Sequence, residues 1–232
     1  MNTKHYALEA HLLTKSYEEG LVPAVRGASL ALEHGKIYAL MGRSGCGKST
    51  LLNLIGTLDK PEKGTLLYDG KSVEKMGSLS RFRREHIGFV FQFHHLLPVL
   101  TLRENVETAL LFHSAMTRQA KEESIERIFI EMELEHKMDA LASAVSGGER
   151  QRAAIARALV GDPRLILADE PTGNVDSATS EKIMHSLRRR ITQTGATALI
   201  ATHDPSVSAY ADVLLYMKDG KIQAVEDASP LS

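Results

Sequence analysis

Residues 42–50 read Gly42-Arg43-Ser44-Gly45-Cys46-Gly47-Lys48-Ser49-Thr50 and match the pattern G-x-x-x-x-G-K-[ST]. Glycines at these spacings let a backbone wrap around a phosphate with its N–H groups pointing inward, and a helix starting at the lysine presents its positive end to the same anion. Lys48 supplies a mobile charge for β- and γ-phosphates, and the Ser49 hydroxyl is a hard oxygen donor of the kind Mg²⁺ prefers. A second chemical group closes residues 165–170, Leu-Ile-Leu-Ala-Asp-Glu, where an apolar run ends in two carboxylates. Asp169 is expected to hold Mg²⁺ through water, and Glu170 to orient and deprotonate an attacking water. His203 follows another apolar run, 197–202, and could contact a γ-phosphate while keeping Glu170 and the water in line. A phosphate loop alone does not separate a kinase from a switch GTPase or an ATPase.

These groups must be delivered by elements. Residues 36–41 form an apolar run ending at Gly42, and 49–58 carry apolar residues at helical spacing, so strand, loop and helix succeed one another. The runs 165–168 and 197–202 read as strands with a helix over 180–192 between them, which predicts a parallel crossover. Open α/β sheets bind ligands at the C-terminal ends of such strands. Hairpins are expected at Asp69-Gly70, within 66–73, and at Asp219-Gly220, between 213–217 and 222–225. Residues 102–141 lack Gly and Pro and read as helical and rather polar.

The chain has 232 residues, 43% of them apolar, enough for a substantial core. Its 28 Lys and Arg balance 29 Asp and Glu to a net charge of −1, so there is no cationic field for non-specific nucleic-acid binding. A single cysteine, Cys46, cannot form an intrachain disulfide, and a reducing compartment is the simpler assumption. No stretch approaches the roughly 18 apolar residues that span a bilayer. The opening residues are interrupted by His5, Glu9 and His11 before a secretory apolar region can form. A role at a membrane would therefore run through a partner.

The segment Val145-Ser146-Gly147-Gly148-Glu149-Arg150-Gln151-Arg152, followed by Ala-Ala-Ile-Ala-Arg-Ala-Leu, resembles the signature motif of ATP-binding-cassette ATPases. The order of motifs matches that family along nearly the whole chain. Tyr17 resembles the aromatic that stacks on adenine, Gln92 the Q-loop residue that also reaches the metal, Asn174-Val175-Asp176 the D-loop, and His203 the switch histidine. The stretches 89–98, 146–159 and 168–174 look like the MacB/LolD-type branch, with haem and antibiotic exporters among its relatives. Val145 and Val175 stand where leucine is usual, and both keep the position apolar.

The resemblance implies an α/β P-loop NTPase cassette with a RecA-like core, an antiparallel β subdomain and a helical signature subdomain. The expected division is one domain over 1–232, with 1–92 and 162–232 forming the core and β subdomain and about 93–161 the helical subdomain. It further implies a head-to-tail homodimer holding two Mg-ATP, each bound by the 42–50 loop, Tyr17 and Gln92 of one copy and by Ser146, Gly147, Gly148 and Glu149 of the other. Ser49, Gln92 and Asp169 would hold Mg²⁺, and Lys48, Glu170 and His203 would be catalytic. The implied partner is a membrane permease with an extracytoplasmic domain, placing the chain on the cytoplasmic face of a bacterial inner or plasma membrane. A soluble cassette acting on DNA or ribosomes is the alternative. It is disfavoured by the single cassette, the lack of a long coiled-coil insertion and the balanced charge. A metabolic kinase would have no use for the Ser-Gly-Gly signature.

Three further features draw attention. His94-His95, with His86 nearby, lack a Cys or carboxylate cluster to complete a metal site and read as part of a polar Q-loop facing the membrane subunit. Arg188-Arg189-Arg190 reads as a solvated helix face in a chain of this net charge. Phe89, Phe91, Phe93, Leu96 and Leu97 are expected to be partly core, with the later ones lining a groove for a partner's coupling helix.

Overall fold

The computed structural model describes residues 5–113, 116–173 and 175–228. The chain folds in the order β1 (Tyr6–Tyr17), β2 (Val22–Glu33), β3 (Ile37–Met41), α1 (Lys48–Ile55), β4 (Lys63–Tyr68), β5 (Lys71–Ser72), α2 (Leu79–His86) and β6 (Ile87–Val90). It continues with α3 (Leu102–Glu107), α4 (Arg118–Glu131), α5 (Gly147–Leu159), β7 (Leu165–Asp169), α6 (Ser177–Thr194), β8 (Thr197–Thr202), α7 (Pro205–Ser208), β9 (Val213–Lys218) and β10 (Lys221–Asp227). One sheet has the order β2-β1-β4-β5 and is antiparallel throughout. The other has the order β10-β9-β3-β8-β7-β6, with β3 parallel to β8 and β9, and β7 parallel to β8 and β6. Both hairpins and the β7-α6-β8 crossover read from the sequence are present.

The continuous apolar runs of the central strands follow from burial on both faces, because successive side chains point to opposite sides. Ile37 and Ala39 of β3, Ile166 and Ala168 of β7, and Ala198 and Ile200 of β8 join a core with the helices α3, α4, α5 and α6. Their alternates, Tyr38 and Leu40, Leu165 and Leu167, and Leu199 and Ala201, join a second core built with α1 and the antiparallel sheet. The central sheet is thus the wall between two cores, and a register slip in any of these strands would exchange them.

The helical stretch 102–141 is broken into pieces, although it contains neither Gly nor Pro. Thr101 opens α3 with a capping box to Glu104, and the Thr117 hydroxyl accepts from the Ala120 amide to open α4. Such caps satisfy amides that a helix start leaves without partners, and so they favour restarting over continuing. The arginine run of α6 also departs from expectation. Arg190 is buried and donates to Glu131 Oε1 at 2.8 Å and to Asp162, while Arg188 donates to Asp212 Oδ1 at 2.9 Å. Net charge is blind to this, because the acids that neutralise these guanidiniums come from α4, the turn before β7 and the turn before β9.

Phe129 of α4 is fully buried in the helical core. Phe129→Ala is expected to lower unfolding free energy by about 3–5 kcal/mol, read from the shift of the urea transition.

Candidate active site

The central sheet delivers its chemistry along one edge. β3, β8 and β7 lie side by side and parallel, and their C-terminal ends carry Gly42, His203 and the Asp169-Glu170 pair in turn. A cavity of 280 Å³ at that edge is lined by Ala24, Ser44, Gly45, Gly47, Lys48, Ser49, Thr50, Gln92, Asp169, Glu170 and His203. Most of the residues singled out for phosphate, metal and water chemistry therefore face one space.

The loop between β3 and α1 is shaped by backbone approach. Gly47 has φ 106°, and a Cβ there would sit 2.2 Å from the Ala24 carbonyl oxygen. A Cβ on Gly42 would lie 2.4 Å from the Met217 carbonyl oxygen and 2.7 Å from Cys46 Sγ. Only glycine fits at either place. The Cys46 amide donates to Arg43 O at 3.2 Å, and Gly220 donates to Cys46 O at 3.0 Å, which anchors the loop to the β9-β10 turn. Lys48 is nearly buried and folds back, its Nζ donating to Gly42 O at 2.7 Å and to Arg43 O at 3.3 Å. Its ammonium thus occupies the loop's own concavity, the position a phosphate chain would need it to serve.

Ser49 hydrogen-bonds the Asp169 carboxyl across the cavity. Burial pushes Asp169 above the ordinary carboxylate range. Glu170 adds to that rise, and the Ser49 hydrogen bond and the Lys48 charge offset it only in part. Glu170 is engaged on both oxygens: His203 Nδ1 donates to Oε1 at 2.7 Å, and the Thr202 hydroxyl donates to Oε2 at 3.2 Å. Thr202 also accepts from the Asp204 amide at 3.0 Å. Thr202 belongs to none of the sequence motifs, and the signal for it is its place beside His203 at the end of β8, within reach of the same carboxylate. Glu170 further adopts φ 46°, a left-handed conformation that non-glycine residues seldom take.

Other expected residues stand apart from this cavity. Ser146 caps α5, its hydroxyl accepting from Glu149 N at 3.3 Å while Glu149 Oε2 accepts from Ser146 N at 2.8 Å. The Ser146 backbone and hydroxyl bonds hold Glu149 below the usual carboxylate range. Gly147 and Gly148 form the first turn behind that cap, and none of the four lines the phosphate-loop cavity. Tyr17 is partly exposed, donates to Asp59 Oδ2 at 3.1 Å, and lies outside the cavity lining. Asn174 lies outside the described residues, whereas Val175 packs against the helical core and Asp176 caps α6. The His94 and His95 carbonyls accept from Arg157, and Phe93 is 66% exposed. Among the described residues, no helix is long and apolar enough to cross a membrane.

Residues 25–173 match the family model described as ABC transporter. The chain is 42% identical to the lipoprotein-releasing system ATP-binding protein LolD of Geobacter metallireducens, over 94% of this chain and 98% of that protein. It is 40% identical to the uncharacterized ABC transporter ATP-binding protein MJ0796 of Methanocaldococcus jannaschii, over 92% and 94% of the two chains. The dimeric post-hydrolysis structure of the ATP-binding cassette MJ0796, bound to ADP and Pi, superposes with a TM-score of 0.88 at 37% identity, covering 97% of this chain and all of that one. With its phosphate loop, paired carboxylates and histidine gathered at one sheet edge and this likeness running end to end, the chain belongs to the ABC transporter family, as an ATP-binding and ATP-hydrolysing cassette.

Proposed function

We propose that this chain is the motor subunit of a MacB/LolD-type transporter, working as a homodimer that closes around two Mg-ATP and drives a permease with an extracytoplasmic domain. The observation that carries the reading is the separation of two anion-binding elements. The phosphate loop faces Asp169, Glu170 and His203, whereas the capped start of α5 faces elsewhere in the same chain. Its glycine-rich first turn and helix dipole suit a γ-phosphate, so each site would be completed by Ser146, Gly147, Gly148 and Glu149 of a second copy. ATP then acts as the adhesive between subunits, and hydrolysis releases them.

In this reading the 42–50 loop and Lys48 bind the phosphates, Lys48 exchanging its bonds to the Gly42 and Arg43 carbonyls for phosphate oxygens. Tyr17 stacks on adenine. The oxygen donors of Ser49, Asp169 and Gln92 suit a hard cation and would hold Mg²⁺, which when bound neutralises charge on the β- and γ-phosphates. Glu170 takes a proton from the water whose oxygen attacks the γ-phosphorus, and the bond to the ADP oxygen breaks. His203, already bonded to Glu170, keeps that carboxylate aimed. Residues 93–161 form the helical subdomain that carries the signature, and the remainder forms the core and β subdomain. Phe91 and His95, on either side of Gln92, help line a groove of 360 Å³ suited to a permease segment, whereas Phe93, Leu96 and Leu97 lie outside its lining. The subunit sits at the cytoplasmic face of a bacterial inner or plasma membrane through that permease. A hydrophobic cargo such as a lipoprotein, haem, antibiotic or peptide fits the branch; the LolD relatives are named for lipoprotein release.

Glu170→Gln should lower turnover at least about a hundredfold and leave an ATP-dependent dimer that persists in size-exclusion chromatography with light scattering; undiminished turnover would refute the general-base role. Ser146→Arg should abolish hydrolysis while monomers still bind ATP, a fluorescent-nucleotide titration separating this from the loss of about 1 kcal/mol of helix capping. At neutral pH a buried carboxylate with a raised pKa weakens the fold, and that penalty shrinks as pH falls below the raised value and is gone below the ordinary carboxylate value. Asp169→Asn is therefore expected to raise the melting temperature at pH 7 while reducing Mg²⁺-dependent turnover roughly a hundredfold.

A further inference from the structure

Helix α5 grips the catalytic edge from behind. Gln151, one turn past the signature cap, is 2% exposed, and its Nε2 donates to the carbonyl oxygen of Pro171. Pro171 is buried and directly follows Glu170. On the same helix, Arg157 donates to His95 O at 2.5 Å and His94 O at 2.8 Å, in the segment that begins at Gln92. The helix whose N-terminus carries the signature is thus bonded to both loops that bring Gln92 and Glu170 to the cavity.

Packing does not explain the glutamine. Burying a carboxamide costs free energy unless both ends are paired, and among the described residues Gln151 Oε1 has no partner. A methionine would fill a similar volume without that penalty. What the amide supplies is a donor to Pro171, whose carbonyl is buried beside a strained residue. Glu170 holds φ 46°, a conformation that persists only where the surroundings over-determine it. Its amide donates to Ala201 O at 2.8 Å, and its carbonyl accepts from Gly173 N at 3.1 Å. Proline has no N–H, so the next restraint along the chain is the bond from Gln151.

We propose that Gln151 is a positioning residue for Glu170, a side chain of the signature helix that fixes the peptide behind the general base and ties the placement of α5 to the aim of that carboxylate in the same chain. Engagement of Ser146–Glu149 by a partner's nucleotide, by settling α5, then settles Glu170 of the chain that owns the helix. The inference rests on Glu170 being the general base.

The test measures basal ATPase of the full chain, with melting temperature and ATP-dependent dimerisation as controls. Gln151→Met exchanges one orphaned polar atom, Oε1, for another, the Pro171 carbonyl, so stability and KM should stay near wild type while kcat falls by about tenfold or more, as misplacement of a catalytic group does. Gln151→Glu provides the second readout. Only its protonated carboxyl can donate to Pro171, so the ratio of its kcat to that of wild type should rise as pH falls. Wild-type kcat in Gln151→Met overturns the inference. A pH-independent ratio in Gln151→Glu also overturns it, including where Gln151→Met fails to fold. Glu170→Gln run in parallel separates the two readings: if it keeps turnover, the general-base reading falls and this inference with it, whereas an inactive Glu170→Gln beside a wild-type Gln151→Met removes this inference alone.

Discussion

A polyphosphate can be held and cleaved only where backbone amides, a cation and carboxylates converge, and here they converge because β3, β8 and β7 are adjacent and parallel. Parallel strands end at the same edge, so residues far apart in the chain arrive together: the 42–50 loop, Asp169-Glu170 and Thr202-His203. The helices that cover the sheet keep that edge in register. Alternate residues of the three strands feed two separate cores, and sliding any strand by one residue would send its side chains to the wrong one.

The loop itself is a close-packing problem as much as an electrostatic one. Gly47 and Gly42 press against the Ala24 and Met217 carbonyls with no room for a Cβ, so the β1-β2 hairpin and the β9-β10 hairpin brace the phosphate loop from two sides. Lys48 adds a positive charge there, its ammonium held by the Gly42 and Arg43 carbonyls. Asp169 contributes the opposite charge at a cost that its burial makes plain. The site trades stability for an arrangement of charges that a nucleotide and a hard cation would complete.

The helical half packs on one face of the central sheet and adds directional bonds to this edge. α5 reaches the Glu170 segment through Gln151 and the Gln92 segment through Arg157, while its capped N-terminus lies away from the cavity. Arg190 fastens the far side, joining α6 to α4 and to the turn before β7. A rigid helix bonded at separate points can shift two loops together, which sidesteps the need for a continuous path of deformable contacts.

The chemistry and much of the layout were legible in the sequence. The G-x-x-x-x-G-K-S spacing, the apolar run into Asp169-Glu170, and the signature of Ser146–Glu149 are local patterns whose residue types are dictated by the bonds they must make. Strand and helix order followed from hydrophobic period, since that period is set by which faces are buried. What only the tertiary structure decided are the pairings between residues distant in sequence: His203 and Thr202 on Glu170, Gln151 on Pro171, and Arg190 between two acids in a run that composition reads as solvated. Periodicity reports burial, and motifs report short-range geometry; neither specifies which donor meets which acceptor across 20 or 33 residues, because that is settled by how the layers pack.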